Sequence, residues 1–538
     1  MVKSWWQTGI VLALTAVALG CSGNVSLKVP ELEPRISQRP PLTVIFPRPT
    51  PADTLLAPDD SVIVVEKLTD SLFAFGSVND ARARVTVNGQ LARMYDNGGW
   101  LGWVKSAEID TVDSLEGVNG RAVRTRVTIR REGPSNEGTV ERQVDLIAPA
   151  EPVKPWELPR RAVDTMLVVT QPNAKIRIGW PGTTDMYPAT GTRLHAVATS
   201  GTGDSILWKL DLPGGEDLWI EGAFVTGDSL AQPVSTQIVR KALGSVDGRW
   251  TRIRIPLEEK VPFRVKRVDD NRLELTLYRA VSWTDVIIQP TGSKVVDEAR
   301  WSQPDSARYR LTAFLHPEWF WGWETSWEGD TTLVWSIRQA PEIRSNPMEG
   351  LTIVIDPGHG GENISAIGPT GLWESRANLM LAKSIADELL KTGASVFVTR
   401  SADSTVDLLE RTKIAKRVNA DLLISIHHNA LPQGKNPWVH HGSSVHYVHR
   451  HSLLLAESVY QALTDDGRAG DGIRYQDLAL ARPSWLPAIL IESAYLLHPE
   501  EEQEIRTPKY RRVIAQRVRS GLKQYLEQIR RMQHEADE

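Results

Sequence analysis

From about Glu349 onward the chain repeats one pattern: a short β-branched run, a loop, then apolar residues at helical spacing. Leu351–Ile355, Ser395–Val398, Leu422–Ile426, Ser444–Val448 and Ala488–Ile491 read as strands. Leu379, Ala382, Ile385, Ala386, Leu389 and Leu390 mark one helix, with Gly393 as its stop. Further helices are expected around Leu408–Arg417 and Leu453–Leu463, and a last amphipathic one over Tyr510–Ile529. Strands that alternate with helices give a mostly parallel sheet with helices on both faces. The expected fold class is an α/β domain at the C-terminus, over 349–532, preceded by three small all-β modules.

That topology sorts the polar residues, because ligands gather at the carboxyl ends of parallel strands. Leu351–Ile355 breaks into Asp356-Pro357-Gly358-His359-Gly360-Gly361, where glycine and proline permit a tight turn. Leu422–Ile426 ends in His427-His428-Asn429, Ala488–Ile491 ends in Glu492, and Glu374 follows on the first loop. Two histidines and one carboxylate leave zinc an open fourth position, as in catalytic sites. A further glutamate can take a proton from an activated water and return it to a leaving amine. No serine or cysteine nucleophile is needed.

IDPGHGG, GLWESRANL, the pair Thr399-Arg400, LLERTKIAKRVNADLLISIHHNA and PAILIESAYLLHPEE occur in that order. Over about Leu351–Leu526 they resemble the zinc-dependent N-acetylmuramoyl-L-alanine amidases of the Amidase_3 type. The resemblance implies hydrolysis of the amide between the lactyl group of N-acetylmuramic acid and L-alanine in peptidoglycan. It implies Zn2+ as cofactor, His359, Glu374 and His427 as metal ligands, and Glu492 as the catalytic acid–base. His428 stands where the family usually has a small residue and reads as a neighbour; Asn429 is expected to hold the site by hydrogen bonds. Glu362–Ser365 and Ser493-Ala494-Tyr495 depart from the family pattern without removing a ligand. His440, His441, His446, His449 and His451 form a local enrichment, open to reading as surface imidazoles or as a second metal site. Some division amidases of this family insert a blocking helix after the strand that ends in the second histidine. Here only Leu431–His441 separates Ala430 from Gly442, so an open site and no obligatory activator are expected. Two other readings stay open: a zinc hydrolase of another amide or peptide, and a non-catalytic scaffold that binds the cell wall.

The rest of the chain reads as delivery. Its single cysteine is Cys21. Residues 1–21 hold Lys3, the apolar run Gly9–Leu19 and then Gly20-Cys21, a signal peptide too short to span a bilayer comfortably. Ala18-Leu19-Gly20-Cys21 resembles a bacterial lipobox, which implies lipid attachment at Cys21 and anchoring to a bacterial membrane facing the wall, on the periplasmic side or at the outer membrane. Residues 22–60 are rich in proline and read as a semi-rigid linker. Residues 61–147, with turn signals at Asn88-Gly89 and Asn97-Gly98-Gly99, resemble an Ig-like β-sandwich. Residues 160–230 resemble an SH3-like barrel, in which Trp180, Trp208 and Trp219 either line a groove or fill a core. Residues 245–340 form a β module resembling those that target amidases. Its Trp319-Phe320-Trp321-Gly322-Trp323 cluster serves either sugar stacking or an aromatic core. A net charge of −4 gives no electrostatic footprint for nucleic acid.

Overall fold

The β-branched runs of the C-terminal third all become strands. In the computed structural model these are β1 (Thr352–Pro357), β2 (Ser395–Val398), β3 (Leu422–Asn429), β4 (Ser443–Tyr447), β5 (Gly470–Tyr475) and β6 (Ala488–Tyr495). The helices are α1 (Glu374–Leu390), α2 (Leu408–Arg417), α3 (Leu453–Thr464), α4 (Pro499–Arg506) and α5 (Pro508–Asp537). The structure describes residues 42–45, 61–64, 71–104, 110–112, 122–133, 138–149, 160–180, 182–201, 205–227, 235–431 and 435–538. Cys21, the lipobox and most of the proline-rich stretch lie outside the described residues. No helix among the described residues is long and apolar enough to cross a membrane.

The sheet order is β2-β1-β3-β6-β4-β5. All neighbours are parallel except β4 and β6, which run antiparallel, so the sheet is mixed. Successive side chains on a strand point to opposite faces. His428 therefore projects away from His427, and it meets Asn378 of α1 and Tyr510 of α5. On the other face, Asp356 pairs in register with Ser425 and receives Arg411 from α2. Helices thus cover both faces, with α1 and α3 both packed on α5.

Apart from single 3-10 turns at Gly222–Phe224 and Pro317–Trp319, the regular structure of the N-terminal part is β among the described residues. One sheet joins Leu42–Ile45, Leu72–Val78, Gly99–Val104 and Arg93–Met94, and a second sheet built around Ala122–Glu132 and Thr139–Pro149 lies against it. The first sheet begins inside the stretch read as linker. Leu42 and Val44 bury alternately there while Leu42–Ile45 ladders onto Leu72–Val78. A seven-stranded sheet follows between Arg161 and Gly227, then sheets of five and four strands between Gln237 and Gln339 that share one core.

These units are not strung apart from the α/β domain. Trp319, Phe320 and Trp321 are buried, and the Trp321 indole N–H donates to the Asp421 carbonyl at 2.8 Å. The aromatic cluster is core, shared with the α/β domain. At the other end, Leu72–Val78 is buried along its whole length. Leu72, Ala74 and Val78 fill their own sandwich, whereas Phe73, Phe75 and Leu101 pack on Leu431, Tyr495 and Leu497. An antiparallel sheet commonly leaves one face to water; here the α/β domain replaces the water.

Candidate active site

At the end of β1 the backbone turns through His359 (φ 58°), Gly360 (128°) and Gly361 (60°). A non-glycine residue in the left-handed region is uncommon and needs a surround that fixes it. Gly358 is required for space: a Cβ there would lie 2.2 Å from the His427 ring. Two buried guanidiniums fix the loop by its carbonyls. Arg411 donates to Pro357 O at 2.6 Å and His359 O at 2.7 Å. Arg400 donates to Pro357 O, Gly358 O and Ser375 O at 3.0, 2.8 and 2.7 Å. Asp356, fully buried, balances this charge by pairing with Arg411 at 2.8 Å and accepting from Ser425 Oγ and Thr399 Oγ1. The TR and LLER stretches of the sequence are the floor of the His359 loop.

The structure brings three of the expected residues together. His359, Glu374 and His427 offer ligand atoms that all lie within 4.8 Å of one another, the one such cluster able to hold a metal ion among the described residues. Glu374 Oε1 stands 3.0 Å from His427 Nδ1 and 3.3 Å from His359 Nε2. Two metal bonds of about 2.0–2.1 Å at a tetrahedral angle separate their donors by about 3.3 Å, so this set is spaced to close on an ion. Burial opposes charge on Glu374, but hydrogen bonds from His359 and His427, and their charge, hold its carboxyl well below the usual range. Burial also opposes charge on His359, yet its hydrogen bond to Glu374 raises it.

Glu492 does not follow its strand, as expected, but lies within β6, cross-strand from His427. The ladder runs on to pair Asn429 with Tyr495, which carries both histidines and Glu492 inside the sheet. Glu492 Oε2 is buried without a hydrogen-bond partner. Burial, then the neighbouring Glu374 charge, pushes its carboxyl well above the ordinary range, against a weaker pull from Arg474.

At Asn429 the backbone carbonyl accepts from Leu496 N at 2.9 Å, a contact with the segment after β6 and not with the ligand cluster. The enriched histidines disperse. His440 faces Asp471 at 3.6 Å, His441 faces Glu501 at 3.4 Å, and His446 meets Ser444 Oγ at 3.1 Å. His449 and His451 stack on each other at 5.5 Å beside Trp323 and Phe320. Sequence reasoning missed Asn378, whose amide lies 3.1 Å from Glu374 Oε1. Its place one helical turn after Glu374 was the available signal.

A family model described as N-acetylmuramoyl-L-alanine amidase, Amidase_3, matches residues 353–524. A probable cell wall amidase of Staphylococcus epidermidis, LytH, is 33% identical over 207 residues, which is 38% of this chain and 67% of that protein. The Staphylococcus aureus protein of the same name is 30% identical over 207 residues, again 38% of this chain and 67% of its own length. Among solved structures, the N-acetylmuramoyl-L-alanine amidase AmiC2 of Nostoc punctiforme is similar at 34% identity and a TM-score of 0.32, covering 33% of this chain and 99% of that one. An N-acetylmuramoyl-L-alanine amidase of Clostridium difficile 630 is similar at 33% identity and a TM-score of 0.31, over 33% of this chain and 97% of that one. The family match and the LytH relatives define an amide-hydrolysing enzyme. The chain belongs to the N-acetylmuramoyl-L-alanine amidase family.

Proposed function

We propose that the protein cleaves the amide between the N-acetylmuramic acid lactyl group and L-alanine in peptidoglycan, with His359, Glu374 and His427 holding a zinc ion and Glu492 moving the proton. The observation that carries this is the pairing of a three-donor cluster with a partnerless, sheltered carboxyl oxygen on the adjacent strand. Two imidazoles and a carboxylate suit zinc and leave a position for water. Zinc in this set supplies the Lewis acidity that makes water nucleophilic at neutral pH and polarises a carbonyl. The chain's own residues do the rest. Glu492 takes a proton from the attacking water at Oε2 and hands it to the leaving nitrogen of L-alanine. The guanidiniums of Arg400 and Arg411 keep the His359 loop from relaxing as charge moves.

The wall-facing setting follows from the lipobox-like residues before Cys21, which support export and lipid anchoring there, and from the cell wall named in the LytH relatives. Peptidoglycan digestion followed by mass spectrometry tests the reading. The expected products are intact stem peptides with a free amino-terminal L-alanine. Glycan cleavage, or cuts inside the stem peptide, would sink it.

A further inference from the structure

His428 has no part in the reaction as described, yet it is buried to 1% exposure beside the cluster. A side chain meant only to fill that space would be apolar. Its Nε2 has no hydrogen-bond partner, so nothing is gained from that end of the ring. Its Nδ1 lies 2.7 Å from Asn378 Oδ1. Asn378 is itself fully buried, and its Nδ2 lies 3.1 Å from Glu374 Oε1 and 3.2 Å from Gly358 O.

This geometry leaves one assignment. A carboxylate and a carbonyl are both acceptors, so the Asn378 NH₂ must face them. The Asn378 oxygen then points at His428, whose Nδ1 must carry the hydrogen. His428 is the donor that meets this oxygen, and its backbone N–H also approaches Glu374 Oε1 at 3.4 Å. Without the ring, the amide can turn over and set its oxygen against Glu374 and Gly358.

We infer that His428 is a positioning residue, which fixes the Asn378 amide and through it aims the Glu374 carboxylate at the metal. The inference rests on the zinc reading above. Partners of metal ligands orient the ligand, and their loss typically weakens metal binding or activity by about 10–100-fold. Asparagine at 428 can place an amide N–H where the imidazole Nδ1 now stands; leucine fills the space without a donor.

The test uses the full chain, with zinc affinity read by competition against a chromophoric chelator alongside steady-state kinetics. His428→Leu is expected to loosen zinc by about 10–100-fold and to lower kcat with KM held, while His428→Asn stays near wild type. In an Asn378→Ala background, adding His428→Leu is expected to cost no further affinity. Should melting of the metal-free protein show the leucine variant to be misfolded, His428→Met replaces it. That flexible side chain adapts to the same space without a donor, and it should lose zinc where His428→Asn keeps it. Unchanged affinity in the donor-free variants, equal losses with and without the donor, or additive losses in the double variant would overturn the inference. A wild-type protein that fails to bind zinc overturns the metal reading instead.

Discussion

Arg338, on the last strand of the third β unit, ends inside the α/β domain. Its side chain is 1% exposed, donates to the Ala420 carbonyl at 2.7 Å and pairs with Asp421 at 3.3 Å. Asp421 also receives Arg249 at 2.7 Å and the Thr352 amide at 3.0 Å, at the start of β1. The β unit thus holds the foot of the strand whose far end carries His359.

Removing one partner of a buried ion pair leaves the other uncompensated, which typically destabilises by 3–5 kcal/mol. Arg249 still faces Asp421, so Arg338→Met should cost about 3 kcal/mol, at the low end of that range. Thermal denaturation of the full chain reads this, and a shift within error of zero would refute it.

Glu492→Gln keeps the shape of the site and removes the titrating oxygen. Turnover should fall by about 10²–10⁴-fold, with zinc content by metal analysis unchanged. Loss of the metal along with activity would show that Glu492 is a ligand and not the proton carrier.

Metal binding to the folded state raises stability by about 2.7 kcal/mol when the ion is at 100 times its Kd. The wild-type melting temperature should therefore rise with added zinc and fall with chelator. His359→Ala should lose this response. An equal zinc shift in that variant would place the ion elsewhere.

His449 and His451 close the contact between the third β unit and the α/β domain, donating to Arg482 O at 2.7 Å and Leu486 O at 3.2 Å. Burial lowers the pKa of both. Asp477 and Arg482 also face His449, and Arg267 as well as His449 faces His451. A histidine lowered in the folded state binds fewer protons than in the unfolded chain. Its contribution to stability is full above about pH 6.5 and is lost as pH falls toward the folded value. Melting temperature should drop between pH 7 and 5, and the double variant His449→Gln/His451→Gln should flatten the slope. An unchanged slope would exclude this pair as its source.

Phe73 is fully buried against Leu431, Tyr495 and Leu497, at the segment that follows the His427 strand. Phe73→Ala should destabilise by about 3 kcal/mol, read by thermal denaturation of the full chain. A melting temperature equal to that of wild type would show that this contact does not join the sandwich to the α/β domain.

Much of the α/β domain was legible because its signals are local. Leu422–Ile426 is a short, mostly apolar run, and Asp407 caps the helix Leu408–Arg417 before it by accepting from Leu409 N at 2.8 Å. The boundary at Ile426 was wrong for a non-local reason: residues 427–429 stay in the strand because β6 is there to pair with them. β5 was missed since Gly470-Asp471-Gly472 shows no β pattern, and it becomes a strand only against β4. α4 was missed because Pro499-Glu500-Glu501-Glu502 reads as a polar loop; it gains Glu502, fully buried beneath the Thr370 turn. At the site, the candidate ligands were visible at strand ends, but His428 depends on Asn378, fifty positions away in sequence. The aromatic cluster misled for the same kind of reason. Nothing in Trp319-Phe320-Trp321 announces that Asp421, a hundred residues on from Trp321, will accept its indole hydrogen.

The doubly covered Leu72–Val78 strand has a consequence for the order of events in the cell. Chains are made from the amino terminus at roughly 5–20 residues per second, so Phe73 and Phe75 are made well before Leu431, Tyr495 and Leu497. Until those residues are in place, the outer face of the strand lacks its cover. A truncated chain that ends before Leu431 would never acquire it.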